Sequence, residues 1–256
     1  MSLPKLVPLS PQSVWAPVYG SAPSCTAPRF EAAQNVALQL EGDPTSLDVD
    51  LGRLAGAAPS CQHYEVSKCL FDVARVGHIS FDVAMRGCGD VWACPLWMSP
   101  RTWRAPQHRS GEIDFVEKCG KTLNLSFGET KPFNAPWPGK DPANLPPHRV
   151  TLDFQADGSV ASAMTDLATG QRTPGLHLTG PWSYRAQTAQ NWPGNPCRLI
   201  SDIWNGTAGD GGYWACQGHA SPASRCRYTI SNLKIGTKDG APLFAPGSPC
   251  ACLNAA

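Results

Sequence analysis

The sequence has no apolar stretch near the length of a membrane-spanning helix. It also has no amphipathic run of three helical turns. A helical bundle and a helical membrane span are therefore excluded as readings. Charge of one sign is missing too: 21 basic residues against 20 acidic leave a net +1. No electrostatic case follows for nucleic acid or an anionic membrane as partner. No Cys-x-x-Cys pair occurs, which weakens zinc-ribbon and thioredoxin-like readings. The first 28 residues carry six prolines and no signal-peptide core. If the protein is secreted, a removed signal is expected to have preceded Met1, which is then an addition.

What the chain does have is punctuation. Its 256 residues include 24 glycines and 25 prolines, spread between short apolar segments. That pattern points to many turns and short strands rather than disorder. Nine tryptophans supply rings for core packing or for stacking on sugars. Eleven cysteines fit disulfides in an oxidising compartment and hence a secreted protein. Cys88 with Cys94 and Cys216 with Cys226 are plausible near-neighbour pairs. An odd total leaves at least one thiol over. Cys61, His63 and Cys69 form a weak metal-binding alternative. Two sequons, Asn124-Leu-Ser126 and Asn205-Gly-Thr207, accord with a glycosylated secreted protein.

Taken in order, residues 1–28 read as an extended Pro-rich lead-in. Alternation in Val36–Leu40 and Leu47–Leu51 marks two strands around a turn at Gly42-Asp-Pro44. The tetrapeptide Phe-Asp-Val-Ala occurs at Phe71 and again at Phe81, with Gly77 between; a hairpin turning at Gly77 is expected. In its second half Ile79, Phe81, Val83 and Met85 share one face. Val91–Pro100 is an apolar strand with two Trp. His148–Phe154 and Ser159–Thr165 form a second hairpin through Asp157-Gly158. Leu199–Trp204 is a further strand. In Tyr228–Ile235 the apolar parity shifts between Ile230 and Leu233, as a bulge would cause. The sum is an all-β sandwich or jelly roll: one domain over 29–240, with a Pro- and Cys-containing tail at 241–256.

The stretch that demands a functional reading is Gly111-Glu-Ile-Asp-Phe-Val-Glu117. On a strand, Glu112 and Asp114 share a face, and Ile113 takes the other. Glu117 lies five positions from Glu112 and joins that face only if one residue is bulged out. Three carboxylates on one face repel and raise one another's pKa. The plain alternatives are a solvated edge strand or a calcium site.

With its neighbours, this motif resembles the family-sixteen glycoside hydrolases of the laminarinase-like kind. Their signature is Glu-x-Asp-x-x-Glu on a bulged strand preceded by Gly, as in Gly111 to Glu117. Gly77–Arg86, Trp92–Pro100, His148–Phe154 and Cys226–Ile235 are similar to flanking strands of that family, so the resemblance covers roughly 60–236. It implies a concanavalin A-like jelly-roll sandwich of two curved antiparallel sheets with a polysaccharide cleft. It further implies retaining hydrolysis of a β-linked glucan, β-1,3- or mixed-linkage, with Glu112 as nucleophile, Asp114 assisting and Glu117 as general acid/base. Trp97, Trp103, Trp204 and His148 are the candidate sugar contacts, with core packing as the alternative for each ring. No cofactor is required, though a structural calcium ion is admissible. The partner is the polysaccharide, and a monomer is expected.

The chain departs from the family pattern in places. The nearest Trp before the motif is Trp103, Asp82 stands where an Arg is common, and Asn124–Glu129 has no His. Lys118 follows the acid and is read as facing outward. A lectin-like protein without turnover, a transglycosylase and a lyase are the competing functions.

Overall fold

The structure is a computed structural model describing residues 5–18, 37–50, 62–67, 75–89, 91–100, 113–119, 122–127, 134–155, 159–178, 197–204, 226–237, 239 and 242–244. Of residues 16–18, 62–67, 99, 100, 119, 126, 127, 134, 178, 197, 204 and 242–244 only the backbone is described. The chain forms two antiparallel sheets packed face to face as a jelly-roll sandwich, with strands numbered β1 to β16 in chain order. One sheet runs β1 (Leu6–Pro8), β3 (Ala37–Leu40), β4 (Leu47–Asp50), β15 (Arg227–Thr237), β6 (Val76–Arg86), β11 (Leu145–Phe154), β12 (Val160–Asp166), β13 (Arg172–Leu178). A short β16 (Pro242–Phe244) lies beside β15. The other runs β10 (Asn134–Pro136), β9 (Thr122–Phe127), β8 (Ile113–Cys119), β7 (Trp92–Pro100), β14 (Cys197–Trp204), β5 (Gln62–Ser67), β2 (Trp15–Val18).

The core is made by the alternation of the central strands. Ile79, Phe81, Val83 and Met85 of β6 all turn inward and are buried. They meet Ile113, Phe115 and Val116 of β8 and Leu96 and Met98 of β7, also buried. The rings of Phe81 and Phe115 join the sheets, centroids 5.9 Å apart and tilted by 55°. Ser201 of β14 and Tyr228 of β15 share a hydroxyl–hydroxyl bond of 2.8 Å across the same interface.

The hairpin of β11 and β12 forms as its alternation requires. The parity shift in β15 is a bulge: Ser231 to Lys234 spans three steps against two, Asp82 to Ser80, on β6. Asn232 takes a φ of 52° there, and its amide reaches Asp82 Oδ2 at 2.7 Å. Asn tolerates this left-handed backbone because its short polar side chain bonds locally.

Two expectations are corrected. Gly77 lies inside β6 and turns nothing; the first run of the expected hairpin, Phe71 to Ala74, lies outside the described residues. Within the lead-in, β1 and β2 each add a strand to one of the two sheets, and β16 lies beyond residue 240. Among the described residues a disulfide joins Cys88 to Cys226, 138 residues apart in sequence, which takes one cysteine from each near-neighbour pair. Antiparallel β6 and β15 bring the end of one beside the start of the other, with Arg86 opposite Arg227. Cys94 is buried, and its thiol donates to the Leu96 carbonyl at 3.8 Å. One disulfide accords weakly with an extracellular setting.

Candidate active site

Ile113, Phe115 and Val116 are drawn into the core, which fixes where β8 must bend. Between β8 and β9, Asp114 stands opposite Ser126 and Glu117 opposite Asn124. Three steps on β8 therefore match two on β9, which is one extra residue. Phe115 has no register partner on β7 or on β9. The extra residue sets Asp114 and Glu117 on the same face, the one turned away from the core. Glu112, the remaining carboxylate of the motif, lies outside the described residues.

The neighbouring strand carries a bulge of its own. Trp97 pairs with Ile200 and Cys94 with Asp202, three steps on β7 against two on β14. The register against β8 breaks at the same place, between Ala93 and Leu96. Trp92 and Trp97, five positions apart, consequently face the same side as Asp114 and Glu117. Trp97 stands directly opposite Asp114 and is half-buried. Trp92 reaches Glu117: its Nε1–H donates to Oε1 at 3.0 Å. Glu117 itself is only 7% exposed. Trp204 pairs with Trp92 in the ladder, but its side chain, like the whole of Trp103, lies outside what the structure describes.

Two expected placements are corrected. His148 sits on β11 in the opposite sheet and is 2% exposed. Its Nδ1 lies 2.6 Å from the Pro146 carbonyl and its Nε2 3.0 Å from Lys140 Nζ. A lysine ammonium only donates, so Nε2 accepts and Nδ1–H donates to Pro146. The ring is occupied by the fold and is withdrawn as a sugar contact. Lys118 faces inward: it is 1% exposed and donates to the Gly89 carbonyl at 2.8 Å. The bulge that turns Glu117 outward turns its neighbour in.

Sequence reasoning missed four residues here. Trp92 was hidden by its odd spacing from Trp97, although Pro95 within an interior strand is a bulge signal. Asp202, buried on β14 opposite Cys94, adds a carboxylate to the face. Asn124 stands opposite Glu117 and is buried, so its sequon is closed to glycosylation in the folded chain. Trp137 donates its Nε1–H to the Phe115 carbonyl at 3.1 Å, and nothing local in the sequence announces it. Among the described residues no group of three or more His, Cys, Asp or Glu could hold a metal ion. Cys61 and Cys69 lie outside them.

No protein-family model matches the chain, and no curated protein matches it in sequence. Solved structures do. The catalytic domain of an endo-1,3-β-glucanase (laminarinase) from Thermotoga petrophila superposes with a TM-score of 0.55 at 17% identity, over 91% of this chain and 94% of that one. A structure described with the endo-acting O-glycanases that human gut microbiota express to initiate mucin breakdown gives 0.57 at 12%, over 88% and 91%. Rv0315 of Mycobacterium tuberculosis, an immunostimulatory antigen and pseudo β-1,3-glucanase, gives 0.51 at 15%, over 88% and 95%. The fold is thus the laminarinase-like jelly roll.

Proposed function

We infer that this chain is a retaining, endo-acting glycoside hydrolase of a β-linked polysaccharide, β-1,3- or mixed-linkage glucan being the substrate class favoured. The observation that carries this reading is the bulge of β8, with Asp114 and Glu117 on one face and Trp92 bonded to Glu117. Glu117 is the general acid/base. The Trp92 indole holds the carboxyl in place through one of its oxygens. Glu112 is the nucleophile. Its carboxylate attacks the anomeric carbon as the glycosidic C–O bond breaks and the Glu117 proton passes to the leaving oxygen. Water, deprotonated by Glu117, then attacks the same carbon and frees Glu112. Asp114 assists from between them. Trp97 and Trp204 stack on the sugar, and Trp103 is the third candidate ring. The protein acts as a secreted monomer without a cofactor.

Support for the reaction comes from the motif and its bulge, and support for the substrate from the glucanase that shares the fold. A second reading, sugar binding without turnover, is favoured by the likeness to a pseudo-glucanase. One experiment separates them. Laminarin, lichenan, agarose and carrageenan are incubated with wild type and Glu112→Gln, and the first anomer released is followed by proton NMR. The hydrolase reading expects β-anomer from at least one glucan and none with the variant. Binding without product, or release of the inverted anomer, contradicts it.

A further inference from the structure

The bulge of β8 is the feature on which the site depends, and a bulge needs a holder. Phe115 is matched by no residue of β7 or β9, and its carbonyl accepts a bond from outside the ladders. The partner is Trp137, whose Nε1–H donates to it at 3.1 Å. This indole lies on the core side of β8, buried, on the opposite side of the strand from Glu117. It is itself fixed from two directions. Its backbone N–H donates to the Leu123 carbonyl of β9 at 2.7 Å. Its six-membered ring rests on Gly175 of β13, where any Cβ would collide with Cζ3 and Cη2. Trp137 is therefore wedged between the two sheets, with its one polar atom aimed at the bulged peptide.

The consequence reaches Glu117, two residues along. A strand that lost its extra residue would slip by one, and a one-residue slip exchanges faces. Glu117 would then turn into the core and Lys118 out of it. We propose that Trp137 is a positioning residue of this site: its indole N–H stabilises the bulged peptide at Phe115 and so keeps Glu117 within reach of Trp92. Two tryptophans thus hold β8, Trp137 by its backbone from the core side and Trp92 by its acid from the other. The consequence for turnover rests on the reading given under Proposed function; the coupling of Trp137 to the Trp92–Glu117 bond does not.

The test compares wild type with Trp137→Phe and with benzothienylalanine at position 137, which keeps the two-ring shape and removes the N–H. Two quantities are read. The first is hydrogen exchange of the Trp92 indole N–H, against backbone amides of β6 and β11 in the same sample. The second is kcat and KM on laminarin. The proposal expects Trp92 exchange to accelerate at least about tenfold in both variants while the β6 and β11 amides stay as in wild type. It expects kcat to fall between about tenfold and a hundredfold with KM within about twofold. If Trp92 exchange keeps its wild-type rate, or rises only together with the β6 and β11 amides, the proposal is overturned. Faster Trp92 exchange with unchanged kcat overturns the positioning role. A wild type inactive on laminarin counts against the hydrolase reading, and the exchange measurement still decides the coupling.

Discussion

The indole of Trp92 and the carboxyl of Glu117 meet at 3.0 Å, Nε1–H donating to Oε1, across neighbouring strands that each carry one extra residue. Loss of either bulge alone would set the two side chains on opposite faces of the sheet. Trp92→Phe keeps most of the ring and removes the donor. The expected result is a fall in kcat of about tenfold or more, within the range that general acid–base catalysis supplies, and a melting temperature close to wild type. Steady-state kinetics on the best glucan, with a thermal melt beside them, check it.

Gly175 is held to glycine by the Trp137 ring above it. Gly175→Ala forces that ring to shift within a packed interior and is expected to cost about 1–3 kcal/mol. Urea denaturation measures it, and Gly139→Ala is not a suitable control because its φ of 65° brings backbone strain of its own. Ala161→Ser, on a partly buried position of β12, serves better and is expected to be near neutral.

The sequence made the acidic bulge legible because its cause is local. Ile113, Phe115 and Val116 must be buried, and only an extra residue lets Glu117 join Asp114. The bulge of β15 was legible for the same reason, through Ile230 and Leu233. Gly77 misled because a glycine between two alternating runs carries a turn signal even when a strand runs straight through it. Cys88 and Cys226 were out of reach, since their meeting depends on β6 and β15 being neighbours. Lys118 was misplaced because charge alone suggests solvent, whereas its long stem packs inside and its ammonium meets the Gly89 carbonyl. Trp137 had no local signal at all: its partner Phe115 is 22 residues upstream.

Asp166 closes the turn between β12 and β13, accepting the backbone N–H groups of Ala168 at 2.8 Å and Thr169 at 3.0 Å. The Thr169 bond is the larger cause holding its carboxyl below the ordinary aspartate range, and Ala168 follows. A carboxylate depressed in the folded state stabilises the protein above its unfolded pKa, and that stability is lost as pH falls through the folded value. Wild type is therefore expected to melt higher than Asp166→Ala near neutrality, with the gap closing in acid below about pH 4. Thermal melts from neutral to acidic pH follow the gap.

The Cys88–Cys226 bond spans 138 residues of sequence and ties the end of β6 to the start of β15. Replacing both cysteines by Ala is expected to destabilise the fold by about 2–5 kcal/mol. Guanidinium denaturation of the double variant against oxidised wild type measures the loss.

The central claim is that the bulge of β8 presents Glu117 as the proton donor of a glycan hydrolase. It is tested most directly by reducing-end release from laminarin by wild type and Glu117→Gln at matched folded concentration. Wild type is expected to release reducing ends steadily and the variant at least about a hundredfold more slowly, with both proteins melting alike. A Glu117→Gln variant that releases reducing ends at nearly the wild-type rate would contradict it.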